Sequence, residues 1–341
     1  MAKNNPRGFF NAVKKAKSIV VIPSARPDAD SHASGIAIRR WLELKGKSVD
    51  LYIGEKPIKM AKLFEENFIV VDTNTIDFGK YDLLIVLDCG NPPEKLLNDW
   101  RRFGVFRIPT NLEIAAIDHH KETAHLTDNF IYEIASSTSE LIYRYIYQTE
   151  GIKPDKELAT YLFQGIASDT GYLRWNISAE TFKVIYQLLE QGADLKQVLN
   201  ATFTGNSMWA FQALPYVISK VQFDQNMGLT YSEFTQKDLE NMKLTREQWW
   251  VTRIWYQAIL ARSTIGYPLD LIFEDLEGQE GIHVSGRSDI YQEKPFDITE
   301  LMAKCGGKGG GHMGAAAFEL PGSLSEVKRK VFAAVKEIRE N

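Results

Sequence analysis

Residues 18–54 read SIVVIPSARPDADSHASGIAIRRWLELKGKSVDLYIG, and this stretch decides the fold. Its first run, SIVVIP at 18–23, is continuously apolar instead of alternating, which suits a strand of a parallel sheet covered on both faces. The segment from His32 to Lys45 then places Ile36, Ile38, Trp41, Leu42 and Leu44 at helical spacing and is closed by Gly46; VDLYIG supplies the next strand. Strand, helix and strand in succession make a βαβ unit. Two more continuous apolar runs, LLIVL at 83–87 and IAAI at 114–117, extend the pattern. Repeated units of this kind predict an α/β fold with a doubly wound, mainly parallel sheet, its ligand crevice at the carboxyl ends of the strands.

Each apolar run ends in acidic residues: Asp28 and Asp30 after the first, Asp88 after the second, and Asp118 with His119 and His120 after the third. Strand ends cluster at one edge of a parallel sheet, so these side chains converge although they are far apart in sequence. Carboxylate oxygens with one or two imidazoles are a ligand set for Mn(II)-like ions and not for a closed cysteine-rich zinc site. So many carboxylates in one place repel one another. A pair of divalent cations roughly 3.5–4 Å apart removes that difficulty, activates water near neutral pH and neutralises charge on phosphoryl oxygens. The sequence contains no G-x-S-x-G elbow and no Walker-type loop, which fits metal-assisted hydrolysis better than a serine nucleophile or a P-loop.

From about 137 to 220 the pattern turns helical, in TSELIYRYIYQ, KELATYLFQGIAS, SAETFKVIYQLLEQG and MWAFQALPYVISKV. Beyond about 226 strand-like runs return (GLTYSEF, LDLIFEDL, GIHVSG, AAAFEL), with a last helix from Leu324 to Glu340. This predicts a catalytic domain over 1–190, a helical linker over 191–222 and a smaller mixed α/β domain over 223–341. A chain of 341 residues is long enough for two such domains. Its formal net charge of −4 gives no footprint for long duplex nucleic acid, so a phosphate-bearing ligand is expected to be small. Cys89 and Cys305 are too few for a disulfide framework and read as buried thiols. The polar start MAKNNPRGFF and the lack of any run of membrane-spanning length predict a soluble, cytoplasmic protein that meets no membrane.

Asp118-His119-His120 at the end of an apolar strand resembles the signature of the DHH phosphoesterases. The other motifs of that family fall in order: Pro27-Asp28-Ala29-Asp30 resembles the first, Leu87-Asp88 the second, and Ser168-Asp169-Thr170-Gly171 the fourth. The C-terminal half resembles the DHH-associated domain of oligoribonuclease, adenosine-bisphosphate phosphatase and cyclic dinucleotide phosphodiesterase members. Ser285-Gly286-Arg287-Ser288 is similar to its S-x-R-S segment and Gly309 to Ala316 to its G-G-G-H-x-x-A-A segment.

The resemblance implies two Mn(II) ions, with Mg(II) as the other candidate. Asp28 and Asp30 would each hold one, Asp88 would bridge them, and His119 and Asp169 would complete the second site. Asp118 and His120 would orient these ligands and contact the scissile phosphate. Arg287, Ser288, Gly310, Gly311 and His312 would bind substrate, Arg287 and His312 as a phosphate clamp. The implied substrates are short RNA, dinucleotides or a nucleoside bisphosphate, with long duplexes excluded; a homodimer is compatible with the resemblance but not readable from the residues. One position departs from the family, which usually has His four residues before the first motif Asp, where this chain has Ser24. That leaves the first metal held weakly, through water, or by another residue such as His32.

Two rival functions share parts of this pattern. Pyrophosphatases and exopolyphosphatases have the N-terminal motifs, and the Gly-rich His312 segment argues against them; a nucleotide-binding protein with catalysis weakened at Ser24 is the other. Trp249, Trp250, Trp255 and Tyr256 have helical spacing and read as core in preference to a base-stacking platform. Arg174 reads equally as a phosphate contact or a helix-terminal ion pair, and His125 and His283 carry no motif.

Overall fold

The computed structural model describes residues 4–23, 28–53, 69–70, 76–88, 108–120, 127–174, 176–203, 208–263, 268–278, 281–290 and 293–340. Ser24, Pro27, Cys89 and His125 lie outside the described residues, as do the side chains of Trp255 and His312. The chain divides into two units, Met1–Gly205 and Asn206–Asn341.

In the first unit α1 (Pro6–Lys15) precedes β1 (Ser18–Ile22), α2 (Ala29–Leu44), β2 (Ser48–Ile53), β3 (Ile69–Val70), β4 (Leu83–Leu87), β5 (Glu113–Asp118) and β6 (Phe130–Tyr132). Helices α3 (Thr138–Ile142), α4 (Lys156–Asp169), α5 (Ala179–Glu190) and α6 (Leu195–Phe203) follow, a π-helical stretch, Tyr143–Gln148, continuing α3. The strands form one sheet in the order β3-β2-β1-β4-β5-β6, and each neighbouring pair is parallel. Strand order reverses between β1 and β4, which makes their carboxyl ends the switch point where such folds bind ligands.

The apolar runs are continuous because alternate side chains enter two different cores. Ile19, Val21, Ile85, Leu87 and Ile117 pack with Ile36 of α2 and Leu162 and Ile166 of α4. Their neighbours Val20, Ile22, Leu84, Val86 and Ala116 pack with Ile76, Phe78 and Phe130. The helix expected from His32 begins earlier, at Ala29, because the Asp28 side chain accepts from the Ser31 amide at 2.9 Å and caps it. Asp30 therefore sits in the first turn of α2, fully buried.

The second unit runs α7 (Met208–Ser219), β7 (Gln222–Asp224), β8 (Leu229–Thr235), α8 (Gln236–Met242), α9 (Arg246–Ser263), β9 (Leu269–Asp275), β10 (Ile282–Ser288), α10 (Ile298–Lys304), β11 (Lys308–His312), β12 (Ala315–Leu320) and α11 (Leu324–Glu340). Its sheet is mixed, in the order β11-β12-β10-β9-β8-β7, with β8 and β9 parallel and the other pairs antiparallel. Residues of α10 and α11 share one core with Leu271, Phe273 and Val284 of the sheet; α7 to α9 share another with Phe234 and Ile272. Trp249 and Tyr256 are buried in that second core and Trp250 is partly exposed, 38%. Cys305 is a buried thiol. No described helix is long and apolar enough to cross a membrane.

The strand β11 has no apolar periodicity to announce it. Its glycines are there for contact: a Cβ on Gly309 would lie 2.0 Å from the Ala317 carbonyl oxygen, and Gly311, at φ +145°, would bring one within 2.4 Å of the Ala315 carbonyl.

Candidate metal centre

The switch point of the first sheet collects the acidic residues that follow β1, β4 and β5. Asp88, directly after β4, takes the left-handed φ of +51°, a conformation that Asp tolerates better than most residues. The Ser31 hydroxyl donates to Asp88 Oδ2 at 2.6 Å and the Thr138 hydroxyl to Oδ1 at 3.2 Å. His119 is buried; its Nδ1 donates to the Ala135 carbonyl at 3.1 Å, which aims Nε2 at Asp169 Oδ2, 3.0 Å away, and Asp88 Oδ1, 3.5 Å away. Asp30 accepts two backbone amides at the start of α3, Thr138 to Oδ2 at 2.8 Å and Ser139 to Oδ1 at 2.9 Å.

Two sets of donor atoms lie within 4.8 Å of one another: Asp30, His119 and Asp169 in one, Asp88, His119 and His120 in the other. His119 belongs to both. Asp118 does different work: its Oδ1 accepts the His119 amide at 2.8 Å, the His120 amide at 3.2 Å and His120 Nδ1 at 2.6 Å, holding both histidines in one turn. The structure thus brings Asp30, Asp88, His119, His120 and Asp169 together and gives Asp118 the anchoring place. Asp28 caps α2 beside them, within electrostatic reach of Asp88 and Asp169.

The charges of this group are mutually unfavourable without a cation. Asp28 is an exposed residue at the mouth of the crevice, yet the protein packed around its carboxyl, with Asp88 and Asp169 beside it, pushes its pKa up to about 7. Burial and the same two carboxylates raise Asp30 well above the usual range. For Asp88 burial acts upward, but His119, His120 and the Ser31 hydroxyl outweigh it and hold the carboxyl low. His119 shows the complement: burial disfavours its cation, and Asp169 and Asp88 overcome that and raise it well above an ordinary imidazole. The raised pKa values of Asp28, Asp30 and His119 mark a site that favours added positive charge, and hard oxygen donors with an imidazole are the donor set that divalent cations prefer. The residues fit divalent metal.

His32, the other imidazole nearby, is buried and contacts the Asp28 carbonyl through Nδ1 at 2.6 Å, along its own helix. Burial pulls its pKa down to about 4.

The substrate residues expected in the second unit fall on β10 and β11. Register aligns His312, Ala315, Arg287, Asp270 and Thr230 in one row across β11, β12, β10, β9 and β8. Arg287, Asp270 and Thr230 therefore project from the same face of the sheet. Arg287 Nη1 donates to the Gly286 carbonyl at 2.8 Å; burial and the nearby Arg253 lower its pKa to about 10, so it stays cationic at neutral pH. Ser288, next on the strand, is buried, and Gly310 and Gly311 lie opposite Ala317 and Ala316. His283 is part of a separate polar layer, with Nε2 3.8 Å from Glu274.

The residues that position the carboxylates, Ser31 and Thr138 through their hydroxyls and Thr138 and Ser139 through their amides, carry no motif in the sequence. Their only local signal is the S-x-x-E spacing of Ser137 and Glu140, which marks a helix start and nothing about Asp30.

Two family models match the chain: "DHH family, N-terminal domain" over residues 18–166 and "DHHA1 domain" over residues 255–341. The bifunctional oligoribonuclease and PAP phosphatase NrnA of Thermus thermophilus is 23% identical over 321 residues, covering 94% of this chain and 89% of that protein. An exopolyphosphatase-related protein from Bacteroides fragilis has the same fold, with a TM-score of 0.80 at 20% identity, covering 98% of this chain and 96% of that one. RecJ from Thermus thermophilus, solved in complex with Mn2+, gives a TM-score of 0.53 at 15% identity; the match covers 96% of this chain and 53% of RecJ.

Proposed function

Since the chain belongs to the DHH superfamily of phosphoesterases, its DHH domain followed by a DHHA1 domain, we propose that it is a Mn(II)-dependent hydrolase of short oligoribonucleotides, dinucleotides or adenosine bisphosphate. One observation carries the reading: donor atoms of Asp30, Asp88, His119, His120 and Asp169 crowd within bonding reach of common points at the switch point of the parallel sheet. Similarity over nearly the whole length to an oligoribonuclease and PAP phosphatase supports the substrate class.

Asp28, Asp30, Asp88, His119 and Asp169 would hold two ions. Bound there, divalent cations supply positive charge to phosphoryl oxygens and acidify water. The chain's own residues do the rest. His119 keeps Nε2 toward the carboxylates through its bond to the Ala135 carbonyl. For His120, burial acts against the cation, and Asp118 more than offsets it and raises its pKa, so the ring, held by Asp118, would contact an oxygen of the scissile phosphate. Arg287 offers a fixed guanidinium for substrate phosphate, with Ser288, Gly310, Gly311 and His312 on the same two strands.

The test is hydrolysis of a short oligoribonucleotide, a linear dinucleotide, adenosine bisphosphate and pyrophosphate, each with Mn(II), Mg(II) or a chelator. Mn(II)-dependent release of mononucleotide or phosphate from the nucleotide substrates is expected. Turnover of pyrophosphate alone would replace this reading with a pyrophosphatase. Nucleotide binding without turnover would replace it with a binding protein weakened at Ser24.

A further inference from the structure

Beside the candidate centre lies a buried carboxylate that is not among its donor atoms. Glu140, in the first turn of α3, is 1% exposed. Its Oε2 accepts from the hydroxyls of Ser136 and of Thr181, the latter at 2.8 Å, and its Oε1 accepts from Arg144 Nη1 at 3.3 Å. A capping-box glutamate would return its carboxylate to the N-cap amide, here that of Ser137. Glu140 does not. Its partners tie the segment before α3 to α5, where Thr181 is the third residue.

That segment touches three residues of the centre. The Ala135 carbonyl receives His119 Nδ1, the amides of Thr138 and Ser139 hold both oxygens of Asp30, and the Thr138 hydroxyl holds Asp88. Ser136 stands between the residue that orients His119 and the residues that hold Asp30. Its hydroxyl is clamped by Glu140. A run of backbone that must present a carbonyl in one direction and two amides in another needs a fixed point between them.

We propose that Glu140 is a positioning residue for the metal centre, clamping Ser136 so that residues 135–139 hold His119, Asp30 and Asp88 in register with one another. Helix α5 is thereby part of the support of the site, through Thr181, although none of its residues reaches the ligand cluster. The inference rests on the metal reading given above for its affinity consequence, and on the hydrogen-bond geometry alone for its structural one.

Both can be measured on the full chain carrying Ser136→Ala, Thr181→Val or Glu140→Gln. Glutamine keeps an acceptor for the two hydroxyls and should retain most of the wild-type behaviour, whereas Ser136→Ala cuts the clamp. In metal-free protein, Ser136→Ala should speed hydrogen exchange at the Thr138 and Ser139 amides by about tenfold or more, with a much smaller change in the α2 and α4 amides. Its affinity for Mn(II), by titration calorimetry, should fall roughly ten- to a hundredfold, as for other residues that orient metal ligands, and Thr181→Val should move both readouts the same way. Unchanged protection of those two amides, or unchanged Mn(II) affinity beside a lowered unfolding temperature, would overturn the proposal and leave Glu140 a stabilising residue only. If wild-type protein binds no Mn(II), the metal reading itself is wrong, and the exchange comparison still decides whether Glu140 fixes the segment.

Discussion

Gly165 on α4 lies against Asp30 on α2: a Cβ at Gly165 would sit 2.8 Å from Asp30 Oδ1 and 2.3 Å from the Ser139 hydroxyl. The glycine lets α4 pass close enough for Asp30 to receive the amides that open α3. Helix propensity by itself makes Gly165→Ala stabilising by about 1 kcal/mol. Overpacking at a buried contact costs about 1–3 kcal/mol, and here it also displaces Asp30, one of the residues proposed to hold metal. The unfolding temperature of Gly165→Ala should therefore fall, and its Mn(II) affinity drop at least tenfold; a rise in stability with affinity intact would refute the steric account.

Asp88→Asn should keep the fold, because Asn also tolerates the left-handed backbone at this position; its amide oxygen accepts from one of the hydroxyls of Ser31 and Thr138, and its NH2 can donate to the other once that hydroxyl rotates. Loss of the charge removes the carboxylate expected to bridge two cations. Turnover should fall by more than the roughly hundredfold cost of disturbing residues behind a metal ligand, with circular dichroism unchanged. Near-wild-type activity would exclude the bridging role.

Protons and cations compete for Asp28, whose pKa is pushed up to about 7. In the metal-free fold this group is costly: the unfolded chain loses the proton near pH 4, the folded chain only near 7, so its contribution to stability falls as pH rises between those values. Mn(II) bound as proposed would reverse that cost by holding the ionised form. The increase in unfolding temperature caused by Mn(II) should be larger at pH 8 than at pH 5.5, and calorimetry near pH 7 in buffers of different ionisation enthalpy should show proton release. Equal metal effects at both pH values would contradict this.

His32 titrates with the opposite consequence. Its folded pKa of about 4 lies below the ordinary imidazole value of 6.5, so the unfolded chain takes up the proton first, and stability is lost as pH falls through that window. A complete shift of this size corresponds to on the order of 3 kcal/mol. His32→Gln should flatten the acid limb of the stability profile and leave Mn(II) affinity unchanged, whereas a large loss of affinity would make His32 the replacement for the ligand missing at Ser24.

Arg287→Ala should raise KM for a nucleotide substrate ten- to a hundredfold, the loss of a hydrogen bond to a charged group worth about 1.5–3 kcal/mol. Mn(II) affinity, set in the other unit, should not change. A fall in kcat at constant KM would instead place the guanidinium in the transition state only.

Local chemistry made much of this protein legible. The apolar runs at 18–23, 83–87 and 114–117 announce buried parallel strands because both faces are covered, and Asp28, Asp88 and Asp118 announce themselves by following them. Asp169 sits at the end of a helix, so it was recognisable by motif and not by periodicity. The short edge strands β3, β6 and β7 carry too few residues to show a period, and β11 is built of glycines whose use depends on the strand beside them.

The sequence by itself determined which side chains reach the rim of the sheet, since strand and helix periods and the ends of apolar runs are written within a few consecutive residues. Tertiary structure alone decided how those side chains are held. Asp30 is fixed by amides of Thr138 and Ser139, more than a hundred positions away, and Gly165 and Glu140 become necessary only when α2, α3, α4 and α5 are packed together. Contacts of that kind depend on distances between segments, and no periodicity along the chain encodes them.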